Sequence, residues 1–137
     1  MNIGSVRLTE RHGADWSSLA EDVRRHLPPL TGTRLLAVDG TTAELAGLQA
    51  LRLSAIGEVL DWLRDSTEEE RRARLFEPDR SEVFAAGVLI VRETLRHLEL
   101  DRLEHSDRDL LNGAALAAAE LPDAAEGDAP PGAYTCC

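Results

Sequence analysis

Apolar residues recur along this chain at two spacings, and the change from one to the other divides it into elements. Residues 3–9, Ile-Gly-Ser-Val-Arg-Leu-Thr, alternate apolar and polar and predict a strand. Trp16, Leu19, Val23 and Leu27 then hold one helical face, with Asp15 placed to cap it and Pro28-Pro29 to end it. The run Leu35-Leu36-Ala37-Val38 within 34–39 predicts a short buried strand. Gly40-Thr41-Thr42 turns the chain into a helix over about 43–52. A further helix over 54–65 places Ile56, Val59, Leu60 and Leu63 on one side.

Ser66 or Thr67 caps a polar helix that begins Glu68-Glu69-Glu70 and carries Arg71, Arg72 and Arg74 towards its end, the polarity that the helix dipole favours. The strongest helical pattern covers 80–98, with Val83, Phe84, Gly87, Val88, Val91, Leu95 and Leu98 at three- and four-residue spacing. Residues 103–106 predict a short strand. Asp107 then caps a helix to about Glu120, with Leu110, Leu111, Ala114, Ala115 and Ala118 inward. From Leu121 the residues are mainly Pro, Gly, Ala and acid, the composition of a disordered tail. Strands 34–39 and 103–106, joined by a helical crossover, are expected to be parallel. The architecture is α/β, with an ordered domain over 1–120 and a tail over 121–137.

Composition removes several functions. Net charge is -10, and no basic stripe interleaved with aromatics appears, so a nucleic-acid surface is not expected. All 15 basic residues are Arg, which excludes a Lys-dependent phosphate loop or Schiff base. Aromatics are 4% of the chain, so the core is built from Leu, Ala, Val and Ile. The cysteines, Cys136 and Cys137, are adjacent and frame neither a disulfide scaffold nor a metal cluster. His12, His26, His97 and His105 share no ligand spacing and read as surface or helix-end residues. No metal ligands and no catalytic residues are identified. No apolar run is long enough to span a membrane, no signal peptide is seen, and a cytoplasmic location is expected.

The best candidate site is Gly40-Thr41-Thr42. A strand end feeding a helix start exposes unpaired N–H groups that favour phosphate; an ordinary turn with Thr41 as cap is the plainer alternative. Asp39 ends the strand and suits a metal-bound water or, more simply, a helix cap. Arg80 and Glu82 fit a helix-start ion pair. Gly87 lies mid-helix, where glycine costs about 0.5–1 kcal/mol relative to Ala, so a close neighbour is expected there.

Four stretches in order resemble the exopolyphosphatase/guanosine pentaphosphatase (Ppx/GppA) family. Ile3-Gly4-Ser5-Val6-Arg7-Leu8-Thr9-Glu10 resembles a G-x-V-R-L-T-E core. Val38-Asp39-Gly40-Thr41-Thr42-Ala43-Glu44-Leu45-Ala46 resembles a strand–G-T–helix element. Glu77-Pro78-Asp79-Arg80-Ser81-Glu82-Val83 with Ala86-Gly87 resembles P-x-R-x-D-V…G-G-G. Ser106-Asp107-Arg108-Asp109-Leu110-Leu111-Asn112-Gly113 resembles S-D-x-x-L-x-x-G.

The resemblance implies the second of two ribonuclease-H-like halves, of the actin/sugar-kinase/Hsp70 type, with a short mixed sheet and helices. It also implies cleavage of terminal phosphoanhydride bonds in polyphosphate or guanosine pentaphosphate, with Mg²⁺. It puts Gly40, Thr41 and Thr42 on a phosphate- or nucleotide-side loop, with Asp39, Arg80 and Gly87 lining the cleft.

The family's first phosphate loop, catalytic Glu and D-I-G-G-G-S-T-E loop are not found in this sequence, and its G-G-G run stands as Ala85-Ala86-Gly87. Inactivity without a partner half is therefore expected, with a non-catalytic interaction module as the alternative. Retention of only the third, fourth and fifth strands of a five-stranded order 3-2-1-4-5 leaves a gap of roughly 14 Å, three spacings of about 4.8 Å. Either strand 3–9 moves beside strand 34–39 and closes it, or self-association or a partner chain fills it; both outcomes leave an apolar surface near Val6, Leu8, Leu36 and Val38.

Overall fold

In the computed structural model, which describes residues 4–108 and 110–119, the alternating segment at the start of the chain is helical. Helix α1 (Ser5–His12) buries Leu8 and leaves Val6 exposed. The Thr9 hydroxyl donates to the Ser5 carbonyl at 2.8 Å across one turn. A short alternation suits either period. Here one buried leucine among polar residues satisfies a helix, whose backbone groups pair internally, without a ladder partner. The strand expected over 3–9 is absent from its described residues, and the sheet gap that it implied goes with it.

Helix α2 (Trp16–His26) starts where its pattern predicts, and Asp15 Oδ1 accepts from the Ser18 amide at 3.1 Å. Leu19 and Val23 are buried. So is Asp22, which accepts from Arg11 at 2.6 Å and lies 2.9 Å from His12 Nε2, fastening α1 to α2.

Strand β1 (Leu36–Ala37) is two residues long, and Leu36 and Val38 are exposed rather than buried. Helix α3 (Gly40–Gly47) begins three residues earlier than its pattern suggests. Its end is closed by Gln49 in the left-handed region (φ 56) with Ala50 N–H donating to Leu45 O at 2.7 Å. Helix α4 (Leu53–Asp65) buries Ile56, Val59, Leu60 and Leu63, as expected. Helix α5 (Glu68–Arg74) is capped reciprocally by Thr67 and Glu70.

A 3₁₀ turn, Pro78–Arg80, leads into α6 (Ser81–His97), whose Phe84, Gly87, Val88, Val91 and Leu95 are buried. Helices α1, α2, α3 and α4 all pack against α6, so the core is helical and the sheet lies at its side. Within α6, Glu93 is 1% exposed and receives Arg24 at 2.9 Å, Arg92 at 2.8 Å and Arg96 at 3.3 Å.

Strand β2 (Glu104–His105) pairs with β1 in parallel, Leu36 opposite Glu104 and Ala37 opposite His105, as the crossover predicts. An antiparallel bridge joins Arg52 to Arg102. The described sheet is these two strands; a five-stranded layer is not formed among the described residues.

Residues 4–107 form one compact unit, and α7 (Leu110–Ala119) belongs to a second. Residues 111–119 are exposed, so Leu111, Ala114, Ala115 and Ala118 do not face inward. The expected end at Glu120, the tail 121–137 and both cysteines lie outside the described residues. No described helix is long and apolar enough to cross a membrane.

Candidate functional site

Parallel strands end on the same side, and the loops that leave those ends are where α/β folds place ligands. Beyond β1 the chain gives Val38, Asp39 and the start of α3; beyond β2 it gives Ser106 and Asp107. The six residues singled out from sequence meet here.

Asp39 caps α3. Its Oδ1 accepts from the Thr42 amide at 3.0 Å, and its carbonyl accepts from the Ala43 amide at 3.0 Å. Thr41 is therefore not the cap, and Gly40, Thr41 and Thr42 form the first turn of the helix rather than a preceding turn. The amides of Gly40 and Thr41 make no hydrogen bond among the described residues. Arg80 lies over Gly40: a β-carbon there would be 2.9 Å from Arg80 Cζ. Arg80 donates to Glu77 at 3.1 Å, not to Glu82 as the helix-start pairing predicts. Gly87, buried in α6, faces Thr41, and a β-carbon on it would be 2.8 Å from Thr41 Cγ2. The close neighbour expected at Gly87 is thus a residue of the same site.

Sequence reasoning missed two members. His105 is 12% exposed, and its Nδ1 is 3.2 Å from Thr42 Oγ1 while its Nε2 is 3.2 Å from Asp107 Oδ1. Thr42, fully buried, donates its hydroxyl to the Asp39 carbonyl at 3.0 Å. Asp107 partners His105. The parallel register was the available signal, because it sets the end of β2 beside the end of β1. The other three histidines sit at the ends of α1, α2 and α6, as expected.

Glu44 is the second missed residue. It is 5% exposed; one oxygen accepts from the Glu77 amide at 2.8 Å, which ties α3 to the loop carrying Arg80, and its Oε2 has no hydrogen-bond partner among the described residues.

Two free amides and one guanidinium can hold a phosphate oxygen. The Asp39 carboxylate at the same helix end opposes that. A magnesium ion needs oxygen ligands in near-octahedral geometry. No three His, Cys, Asp or Glu side chains converge on a metal position among the described residues. Magnesium commonly keeps several waters and takes only one or two carboxylates beside a substrate's phosphates, and Asp39 is the carboxylate at this helix end.

The chain resembles solved structures from Aquifex aeolicus. Against the type II variant of its Ppx/GppA phosphatase, identity is 24% over 88% of this chain and 48% of that one, with a TM-score of 0.72. A second crystal structure, of the Aquifex member of the Ppx/GppA family, gives 24% over 87% and 47%, TM-score 0.73. A structure of the Aquifex PPX-GPPA enzyme gives 25% over 84% and 47%, TM-score 0.70. The chain spans about half the length of each. No protein-family model matches the chain, and no curated protein sequence does.

Proposed function

We propose that this chain, whose fold is that of about half of a Ppx/GppA phosphatase, is one half of a phosphohydrolase that cleaves terminal phosphoanhydride bonds. The observation that carries the proposal is the likeness over 84–88% of the chain to 47–48% of proteins described as phosphatases of that family. In this reading the chain is the second, ribonuclease-H-like half and acts in the cytoplasm.

Its role is to hold one wall of the cleft. The Gly40 and Thr41 amides and Arg80 bind a phosphate oxygen of polyphosphate or guanosine pentaphosphate, and Gly87 lets α6 approach the loop that carries them. These 137 residues lack the motifs that supply the family's catalytic Glu and phosphate loops, so hydrolysis requires the other half of the fold to bring them. Phosphoryl transfer is catalysed by positioning and electrostatic stabilisation, and half of a cradle supplies neither in full.

The test is phosphate release from polyphosphate and from guanosine pentaphosphate, with and without the first half of a Ppx/GppA phosphatase. Release only in the mixture supports the proposal. Steady release by the pure chain alone, or none in a mixture shown to form a complex, overturns it.

One observation favours a second reading, a non-catalytic interaction module. Asp39 already places a carboxylate at the α3 N-terminus, where the phosphate would sit. In that case the complex forms and remains inactive.

A further inference from the structure

The segment between α5 and α6 runs along one face of α3. Gly40, Glu44 and Gly47 are four and three residues apart, the spacing that puts them on one side of a helix. The segment meets them in reverse order. The Phe76 ring lies on Gly47, where a β-carbon would be 3.1 Å from Phe76 Cδ2. The Glu77 amide donates to Glu44. The Arg80 guanidinium lies over Gly40. Two positions without side chains, with one carboxylate between them, thus receive residues 76–80 as a strap.

The ends of the strap are fixed elsewhere. Leu75 before it and Ser81 after it are buried, and the Ser81 hydroxyl donates to Glu68. Between those anchors the contacts with α3 differ in kind. Phe76 is 76% exposed, so its ring removes little apolar area from water and apolar contact has no preferred direction. The Glu77 hydrogen bond to Glu44 is directional and ends on a buried side chain. Of the two, the hydrogen bond is the one able to fix a register.

Glu77 passes that register on to Arg80 twice. Its carbonyl accepts from the Arg80 amide at 3.0 Å, and its carboxylate accepts from Arg80 Nη1 at 3.1 Å. Both bonds are local and fix Arg80 relative to Glu77. The Glu44 bond fixes Glu77 relative to α3.

We infer that Glu44 is a positioning residue: acting through Glu77, it registers the strap on α3 and so holds Arg80 over the start of that helix. The strap stands on this geometry; its consequence for binding rests on the reading of Arg80 as a phosphate-binding group. The second Glu44 oxygen, which has no hydrogen-bond partner among the described residues, is not needed for the role. A side-chain amide, which keeps one acceptor oxygen, can therefore replace the carboxylate.

The variants Glu44→Ala, Glu44→Gln and Gly47→Ala test this. Nuclear magnetic resonance of the full chain reads the strap through cross-relaxation between Gly40 and the Arg80 side chain, exchange of the Glu77 amide, and the ring-current shift that Phe76 imposes on residue 47. Glu44→Ala should abolish the Arg80 contact and speed Glu77 exchange on the order of tenfold, as loss of one hydrogen bond implies. Glu44→Gln should restore both. Gly47→Ala should displace the ring and leave the Arg80 contact and the Glu77 amide as in wild type, because the ring does not set the register. In a complex completed by the first half of a Ppx/GppA phosphatase, Glu44→Ala should raise KM for phosphate release on the order of tenfold with kcat little changed, and Glu44→Gln should return it. Unchanged Arg80 and Glu77 signals in Glu44→Ala, their loss in Gly47→Ala, or no restoration in Glu44→Gln overturns the inference. A wild-type KM in Glu44→Ala despite a lost Arg80 contact overturns the positioning role. Absence of release by the completed wild type overturns the phosphohydrolase reading instead, and the spectra of the full chain then decide the strap by themselves.

Discussion

Thr41 in the first turn of α3 rests on the backbone of Gly87 in the middle of α6, at a separation that leaves no room for a β-carbon. Both residues are buried. The contact sets how near the candidate loop comes to the central helix.

Gly87→Ala should therefore destabilise the fold, although Ala is the better helix former by about 0.5–1 kcal/mol. Overpacking of a filled core costs about 1–3 kcal/mol and wins. Gly87→Leu should be worse. Urea denaturation checks this, and a rise in stability for Gly87→Ala would remove the close-packing argument.

Gly40→Ala should behave differently. The obstacle is the end of the flexible Arg80 side chain, which can move, so stability should change by no more than about 0.5 kcal/mol. Arg80 should leave its place over the loop. In a complex completed by a partner half, phosphate release should fall while the melting temperature stays near that of wild type. Unchanged release would show that Arg80 has no part in the site.

Glu93 concentrates three arginines on one carboxylate. Burial pushes its carboxyl up, but hydrogen bonds from Arg24 and Arg92 outweigh that and hold it below the ordinary value of 4.5. Glu93→Gln should cost about 1–3 kcal/mol, the range for loss of charge-assisted hydrogen bonds, because Arg24 and Arg96 are half exposed and stay hydrated without their carboxylate. Denaturant titration at neutral pH reads this; a loss under about 0.5 kcal/mol, the range of ordinary surface substitutions, would place the cluster among solvated pairs of little value.

Asp22 gives a pH signature. Hydrogen bonds from His12 and Arg11 lower its carboxyl from 3.8 to about 2. A depressed value stabilises the folded state above the unfolded-chain value and is lost as pH falls through the folded one. Melting temperature should accordingly drop between about pH 4 and pH 2, and Asp22→Asn should flatten that part of the curve. An identical acid limb in the variant would assign the loss to other carboxylates.

The long patterns were legible in the sequence and the short ones were not. Helices α2, α4 and α6 repeat their apolar positions over three or more turns, and their faces are where the spacing puts them. The segment at 3–9 has too few apolar residues to separate two periods, and burial of Leu8 alone decided for the helix. The candidate site was legible in Asp39, Gly40, Thr41, Thr42, Arg80 and Gly87, because glycines and caps mark backbone geometry locally. His105 and Glu44 were not, since their significance comes from partners distant in the chain: Thr42 for the first and the Glu77 amide for the second.

Leu36 and Glu104, paired in the two-residue sheet, are separated by more than half of the described chain. Closing so long a loop for so few ladder bonds is entropically unfavourable until something else has drawn the ends together. The helices packed on α6 can do that drawing, so the sheet is expected to form late in folding. His105 and Thr42 can meet only after it forms. The chemistry-bearing end of the molecule is thus a reporter on completed folding: a chain that has collapsed but not registered its strands has a core and no site.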